Sequence, residues 1–189
     1  MANGEKGSES SRLRYLVQVG VVVRDLKKTV ETFSSTFGIG PWQYFVWPLH
    51  RADMKGEYRG ESGGFRFAAA LIRLGHVELE LIQPLEGDSI YREFLKEKGE
   101  GLHHIRFDVS DLDEAVQSWM DDGVKVIQSG TGLRPDTRWA YLNTAELPGF
   151  GGIIIEVLTK YYEGDEPPPR PKLSQVMPGL ADEQTLSPK

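Results

Sequence analysis

The chain has 189 residues, of which 39% are hydrophobic and 26% charged, a composition typical of one soluble globular domain. Its net charge of -6 argues against a broad nucleic-acid interface, because a surface that binds phosphates is usually basic. The absence of cysteine excludes disulfides, thiolate metal sites and cysteine nucleophiles.

Both ends of the chain are polar and are predicted to lie outside the folded domain. Residues 1–13 begin with "MANGEKGSESSR", which lacks the apolar segment of a secretory signal, and no apolar run approaches the roughly 18 residues of a membrane-spanning helix. Residues 161–189 form a Pro-rich tail that is expected to be extended or disordered. Alternatively, its segment "LSQVMPGL" docks on the domain or on a partner subunit. Residues 14–160 are predicted to form a single domain in the cytoplasm, without a nucleic-acid or membrane partner.

An internal repeat organises that domain. The segment "LVQVGVVVRDLKKTVETFSSTFGIG", from Leu16, and the segment "LHHIRFDVSDLDEAVQSWMDDGVKV", from Leu102, both run as strand, Asp-Leu pair, helix and Gly. Asp25 and Asp111 hold equivalent positions, and each is a good helix N-cap because its carboxylate can accept from a free N–H group of the first turn. This agreement predicts a duplication.

The rest of each repeat reads as strands, so each half is a β-α-β-β-β module and the domain is α+β. The modules are predicted at 14–86 and 100–160. The further strands are predicted around 42–47, 65–73, 77–82, 125–129, 137–143 and 153–158.

The first module is longer because of the polar, Gly-rich segment "PLHRADMKGEYRGESGG". We interpret it as a long loop, which is a frequent carrier of function. Its basic residues Arg51, Lys55 and Arg59 are candidates to bind a phosphate or carboxylate at the mouth of a site.

Strand alternation places one polar side chain of each duplicated strand on the same face of the sheet. In "HHIRFDV" the apolar face begins with His103, so His104 lies on the polar face. The same rule applied to the other strands selects Gln18, Glu80 and Glu156. One imidazole and three oxygen ligands suit a divalent ion with positions open to water or substrate. A simpler interpretation stays open, in which Glu78, Glu80 and Arg106 form an ion-pair network on a solvated face.

With these modules and positions, the chain resembles the vicinal oxygen chelate superfamily, which includes glyoxalase I, methylmalonyl-CoA epimerase, extradiol dioxygenases and bleomycin-binding proteins. The text "ELIQPLEGDSIYREFLKEKGEGLHHIRFDVSDLDEAV" and the later "GGIIIEVLTK" are most similar to the epimerases. The resemblance implies a cupped, partly closed eight-stranded sheet around a metal cavity, a homodimer, and one divalent ion (Co, Mn, Ni, Zn or Mg). It implies His104, Glu80 and Glu156 as ligands and His103 as a structural residue at the strand start.

Two departures from the epimerase pattern bear on the chemistry. The first-strand ligand is usually His, where this chain has Gln18. An epimerase also needs an acid and a base on opposite sides of the substrate. One is the carboxylate matching Glu156, and the other comes from a first-half strand that here reads "GGFRFAAALIRL" and holds Arg66 but no acid. Glu57 and Glu61, in the preceding loop, are the candidates to replace it.

Aromatic residues are candidates for the wall of a substrate pocket. Alternation places Trp42 and Tyr44 of "GPWQYFVWPLH" on one face, and "TRWAYLN" adds Trp139 and Tyr141. Such residues favour a planar or bulky apolar substrate, although packing in the core or at a dimer edge is the commoner role. Basic candidates for contact with the substrate are Arg66 and Arg106.

The resulting hypothesis is a metal-dependent enzyme that enolises a small carbonyl substrate, such as a CoA thioester or an aromatic compound. The ion polarises the carbonyl, and Glu156 or Glu80 moves a proton. One alternative is a glyoxalase-like lyase or isomerase that acts on another carbonyl compound. Another is a non-catalytic binding protein of the bleomycin-resistance kind. An extradiol dioxygenase fits less well, because its iron site needs two histidines and the chain offers His104 alone at the matching positions.

Overall fold

A computed structural model describes residues 13–49 and 52–163. The described chain forms one mixed sheet that curls into a half-barrel with few helices. In chain order the elements are β1 (Leu16–Val22), α1 (Leu26–Phe37), β2 (Gln43–Trp47), β3 (Gly56–Tyr58), β4 (Glu61–Ser62), β5 (Arg66–Leu74), β6 (Val77–Glu86), α2 (Ile90–Glu97), β7 (Gly101–Val109), α3 (Leu112–Asp121), β8 (Val126–Thr131), β9 (Arg138–Leu142) and β10 (Ile154–Thr159).

The strand order across the sheet is β2-β5-β6-β1-β7-β10-β9-β8-β3-β4. The predicted fold is confirmed, with two short strands beyond the eight that the repeats contribute. In each repeat the first strand pairs in parallel with the last, β1 with β6 and β7 with β10, and the antiparallel pairing of β1 with β7 joins the two halves. The four central strands therefore come from equivalent positions of the repeats.

The predicted helix starts are confirmed. The Asp25 side chain accepts from the backbone N–H of Lys28 at 2.9 Å, and the Asp111 side chain accepts from that of Glu114 at 3.0 Å. Helix α1 ends at Gly38, whose φ of 66° is the left-handed conformation that glycine adopts most readily.

Helix α2, in the connection between the modules, was not predicted. Ser89 caps it by accepting from the N–H of Arg92, and Ile90 and Tyr91 are its buried residues. The signal was present in the sequence, since a Ser is followed by apolar residues at helical spacing.

The long segment of module one is a hairpin and not a loop. Strands β3 and β4 pair with each other, and β3 pairs with β8, so a segment of module one extends the sheet edge of module two. The Arg59 guanidinium contacts the Glu93 carboxylate of α2 at 2.9 Å, and the Tyr58 hydroxyl also donates to that carboxylate. Arg59 is therefore already engaged by an internal carboxylate. Arg51, the third basic candidate of the segment, lies outside the described residues.

The two predicted tails lie largely outside the described residues, including the whole of "LSQVMPGL". Just beyond the predicted boundary at residue 160, Tyr161 and Tyr162 still contact the domain. The Tyr162 hydroxyl donates to Asp108 at 3.0 Å, and the Tyr161 ring lies 4.8 Å from the guanidinium carbon of Arg134. In the described ranges, none of the helices is long and apolar enough to span a bilayer.

The sheet edge at β2 supports the expectation of a homodimer. Strand β2 pairs on one side with β5, and its Val46 side chain is 38% exposed. An open edge of this kind is a ready site for strand pairing with a second copy.

We expect the wild-type protein to sediment as a dimer at micromolar concentration. The variant Val46→Lys should shift it towards monomer, with Leu74→Lys, at the exposed end of β5, as the matched control. A wild-type monomer would contradict the expectation.

Candidate metal centre

Glu80, His104 and Glu156 converge on one point at the floor of the half-barrel. Their candidate ligand atoms all lie within 4.8 Å of one another, and all three side chains are buried. The His104 Nε2 lies 3.3 Å from Glu156 Oε2 and 3.5 Å from Glu80 Oε2. A mixed nitrogen and carboxylate set at this separation is the kind that binds divalent transition ions.

Gly20 makes room for this arrangement. It lies in β1 between the ligand strands, paired with Glu80 on one side and His104 on the other. A Cβ at Gly20 would stand 1.8 Å from Cε1 of His104, so the imidazole lies across the position where any other residue would carry its side chain. Sequence reasoning missed this residue, although Gly inside a strand often marks a close approach of this kind.

A β-bulge explains why both histidines are buried. Along β1 the partners of Gly20 and Val21 are His104 and Leu102, so His103 is an extra residue in β7. Its ring packs against Phe94 and Tyr91 of α2, with ring centroids 5.0 and 5.4 Å away. The strict alternation assumed from the sequence is therefore interrupted at this position, although it identified the side chain that faces the carboxylates.

The ligand atoms of this cluster are better placed to bind a metal ion than to form hydrogen bonds with one another. His104 Nε2 and Glu156 Oε2 are buried without a hydrogen-bond partner in the described structure, despite their contact of 3.3 Å. Burial disfavours the charged imidazole, but the carboxylates of Glu156 and Glu80 outweigh this and raise the pKa of His104 to about 9. For Glu80, burial is the main cause of a raised pKa. These shifts are typical of charged groups that are brought together away from water, where an ion would stabilise them.

Gln18 does not face His104 directly. Its pairing partner in β7 is Arg106, and its Nε2 donates to Glu78 Oε1 at 2.5 Å. The Oε1 of Gln18 is buried without a hydrogen-bond partner in the described structure. Its role as a fourth ligand remains a prediction.

A cavity lies above these groups, with about 820 Å³ of empty space when the open solvent at its mouth is included. Trp139, Tyr141 and Arg106 line it, as predicted. Its other walls are mostly apolar and aromatic. These are Gln43, Phe45, Trp47, Phe67, Leu71, Tyr91, Leu133, Leu158 and Tyr161, with Arg134 among them.

Three predicted substrate contacts lie elsewhere. Trp42 and Tyr44 point to the outer side of β2, where they belong to the cluster beneath α1. Their neighbours Gln43, Phe45 and Trp47 line the cavity in their place. Arg66 is exposed and pairs with Glu86 at 2.5 Å, outside the cavity. The alternation was read correctly, but both faces of β2 are apolar, so the sequence did not indicate which face is inside.

Glu57 and Glu61 also lie outside the cavity. Both are exposed on the β3–β4 hairpin, and Glu57 faces a separate groove beside α3, which Lys55 also lines. Of the described residues that line the cavity, only Glu80 and Glu156 are acidic. The two sequence-based candidates for a second catalytic acid are therefore not among the residues that line this cavity.

Arg106 is buried on the inner face beside Glu156, its sheet neighbour in β10. Its Nε lies 3.3 Å from Asp108 Oδ1, and its Nη1 lies 3.8 Å from Glu78 Oε1. Burial disfavours its charge, but Asp108, Glu156 and further carboxylates raise its pKa above the ordinary arginine value. The predicted ion-pair network of Glu78 and Arg106 thus exists beside the Glu80, His104 and Glu156 cluster, on a buried face.

This fold and this cluster define a class of protein. A family model for the Glyoxalase/Bleomycin resistance protein/Dioxygenase superfamily matches residues 17–141, and the chain belongs to that superfamily.

Individual similar proteins include methylmalonyl-CoA epimerases. The chain is 25% identical over 144 residues to the mitochondrial methylmalonyl-CoA epimerase of Bos taurus, covering 75% of this chain and 72% of the relative. A Streptomyces coelicolor methylmalonyl-CoA epimerase variant, in complex with 2-nitronate-propionyl-CoA, has the same fold at a TM-score of 0.58. Its identity is 24%, with 80% of this chain and 100% of that chain covered.

A closer but shorter match is to the uncharacterized protein YqjC of Bacillus subtilis. The two are 47% identical over 58 residues, which is 31% of this chain and 41% of YqjC. The matched segment therefore spans less than half of that relative.

Replacing Gly20 tests the geometry of the cluster. The variant Gly20→Ala should displace the His104 ring and destabilise the fold by about 1–3 kcal/mol, the usual cost of overpacking. It should also weaken the binding of Zn²⁺, measured by calorimetry together with thermal melts. Gly64→Ala is the matched control, since a Cβ there meets nothing within 4 Å. If Gly20→Ala behaves like this control, the placement of His104 is wrong.

Proposed function

We propose that this protein is a metal-dependent enzyme that enolises a small carbonyl substrate. The observation that carries the proposal is the convergence of Glu80, His104 and Glu156, buried at the floor of an otherwise mainly apolar cavity. The epimerases among its similar proteins support an enzymatic role for the same fold.

The ligands in this proposal are Glu80, His104 and Glu156. A divalent ion held there would supply Lewis acidity that polarises a carbonyl oxygen. Glu156 and Glu80 are the groups of this chain that can take a proton from the carbon next to that carbonyl, because both are carboxylates on the cavity floor. The mainly aromatic walls lower the polarity around these groups, which strengthens electrostatic interactions within the site.

The wall opposite the carboxylates favours proton transfer on one face of the substrate. The inward side chains of β2 and β5 are Gln43, Phe45, Trp47, Phe67 and Leu71, and among these described residues there is no acid. Inversion of a carbon centre needs a proton donor on each side. Isomerisation or elimination needs only one base, so we favour these reactions over the inversion that the epimerases catalyse.

The cavity walls favour a substrate with a flat or bulky apolar group. Trp47, Trp139 and Tyr141 are largely buried and surround the space above the metal ligands. CoA thioesters are the first substrates to test, because the epimerase from Streptomyces coelicolor is described with an acyl-CoA analogue. Aromatic ketones and aldehydes are the second class. In the cell we place the enzyme in the cytoplasm.

A non-catalytic binding protein is the competing function, since the aromatic walls alone would also retain an apolar ligand. Metal uptake separates the two, because simple sequestration of such a ligand requires no ion.

We expect the wild-type protein to bind one divalent ion per chain and to gain about 2.7 kcal/mol of stability at an ion concentration of 100 times Kd. The variant His104→Ala should lose both effects.

The matched control for that experiment is His76→Ala, at an exposed turn between β5 and β6. Elemental analysis and thermal melts with Co²⁺, Mn²⁺, Ni²⁺, Zn²⁺ and Mg²⁺ measure the outcome. If the wild-type protein takes up none of these ions, the enzyme proposal fails and the binding function is favoured.

Exchange in heavy water tests the proton transfer itself. Incubation with single stereoisomers of chiral acyl-CoA thioesters and ketones should give deuterium uptake next to the carbonyl without inversion, as followed by mass spectrometry and optical rotation. Glu156→Gln or Glu80→Gln should reduce the rate by at least about 100-fold, the usual contribution of a general base. Glu57→Gln and Glu61→Gln are the controls, and both should leave it unchanged. Uptake with inversion would contradict the one-face mechanism.

A further inference from the structure

The two adjacent histidines of β7 contact each other through equivalent ring atoms. His103 Nδ1 lies 3.0 Å from His104 Nδ1, and both side chains are fully buried. At this distance the contact is a hydrogen bond, in which one nitrogen carries the proton and the other accepts it. The direction of this bond decides which nitrogen of His104 is left to face the carboxylates.

The metal site requires one of the two directions. His104 Nε2 is the atom that faces Glu80 and Glu156, so it needs a free lone pair to bind an ion. A neutral imidazole with a lone pair on Nε2 carries its proton on Nδ1. That proton then has to be donated to His103 Nδ1, which becomes the acceptor.

Aromatic rings fix the position of the His103 ring. Its ring lies among Phe94, Tyr91 and Tyr141, at centroid distances of 5.0, 5.4 and 6.1 Å. The β-bulge holds the backbone of His103 so that its ring meets that of His104, which regular alternation would prevent.

We propose that His103 is a positioning residue, which accepts a hydrogen bond from His104 Nδ1–H and thereby holds His104 in the tautomer that binds a metal through Nε2. The inference rests on the metal site of the proposed function. It changes the role of His103 from the purely structural one that the sequence resemblance implies. Partners of metal-bound histidines commonly have this effect, and their loss weakens metal affinity by about 10–100-fold.

The decisive variant is His103→Phe, which keeps an aromatic ring among Tyr91 and Phe94 but has no acceptor. Zn²⁺ affinity should fall by about 10–100-fold in calorimetry. His103→Asn should restore most of it, because the Asn Oδ1 can take the place of the accepting nitrogen. Phe94→Leu is the packing control: it disturbs the same aromatic surroundings without touching the acceptor, and should leave the affinity unchanged.

Nitrogen NMR of the zinc-loaded wild-type protein gives a readout that packing alone would not move. We expect His104 to show a protonated Nδ1, protected from exchange, and a zinc-bound Nε2. The inference is overturned if Nδ1 is the metal-bound atom, and this spectrum decides the matter even if His103→Phe does not fold. Unchanged affinity in a folded His103→Phe also overturns it, while the metal site stands. A wild-type protein that binds no zinc or other divalent ion overturns the proposed function and this inference together.

Discussion

Burial of Glu80 and Glu156 at the floor of the cavity is the constraint on which the rest of the site depends. Their exposed fractions are 7% and 5%, and within the described chain His104 lies in contact with both. Two carboxylates that share one imidazole away from water are unfavourable unless further positive charge is supplied or a proton is taken up. Each of the two lies on a strand that pairs with the first strand of its own module, so the sheet fixes the backbone of both residues.

The duplication accounts for part of this arrangement and the departures from it account for the rest. Glu80 and Glu156 lie on the last strands of the two modules, and each of these strands pairs in parallel with the first strand of its own module. The first strands differ. Gln18 gives its amide to Glu78, whereas His104, assisted by the bulge, crosses the open position at Gly20. The two halves of the sheet are related by the repeat, but the cluster is not symmetric, because only the second module contributes an imidazole.

The sequence was sufficient to predict the repeats, the caps of α1 and α3 and the three clustered residues, because capping and strand alternation are local properties. It could not indicate which face of β2 is inside, since Trp42 and Tyr44 on one side are as apolar as Phe45 and Trp47 on the other. The positions of Glu57 and Glu61 depend on the pairing of β3 with β8, a contact between distant segments that no local pattern encodes. The bulge at His103 similarly depends on its register with β1.

Strand β3 of the module-one hairpin pairs with β8 of module two. This pairing constrains the order in which the fold can be completed during translation. Trp47 donates its indole N–H to the carbonyl of Thr131, and Lys55 and Gly56 contact the same distant segment. A ribosome releases the hairpin long before it releases β8, so the first module emerges with its aromatic face uncovered. The edge of β8, on which the hairpin docks, exists only after most of the second module has been synthesised. Trp47 can therefore pack against Trp139 only after β9 has been synthesised.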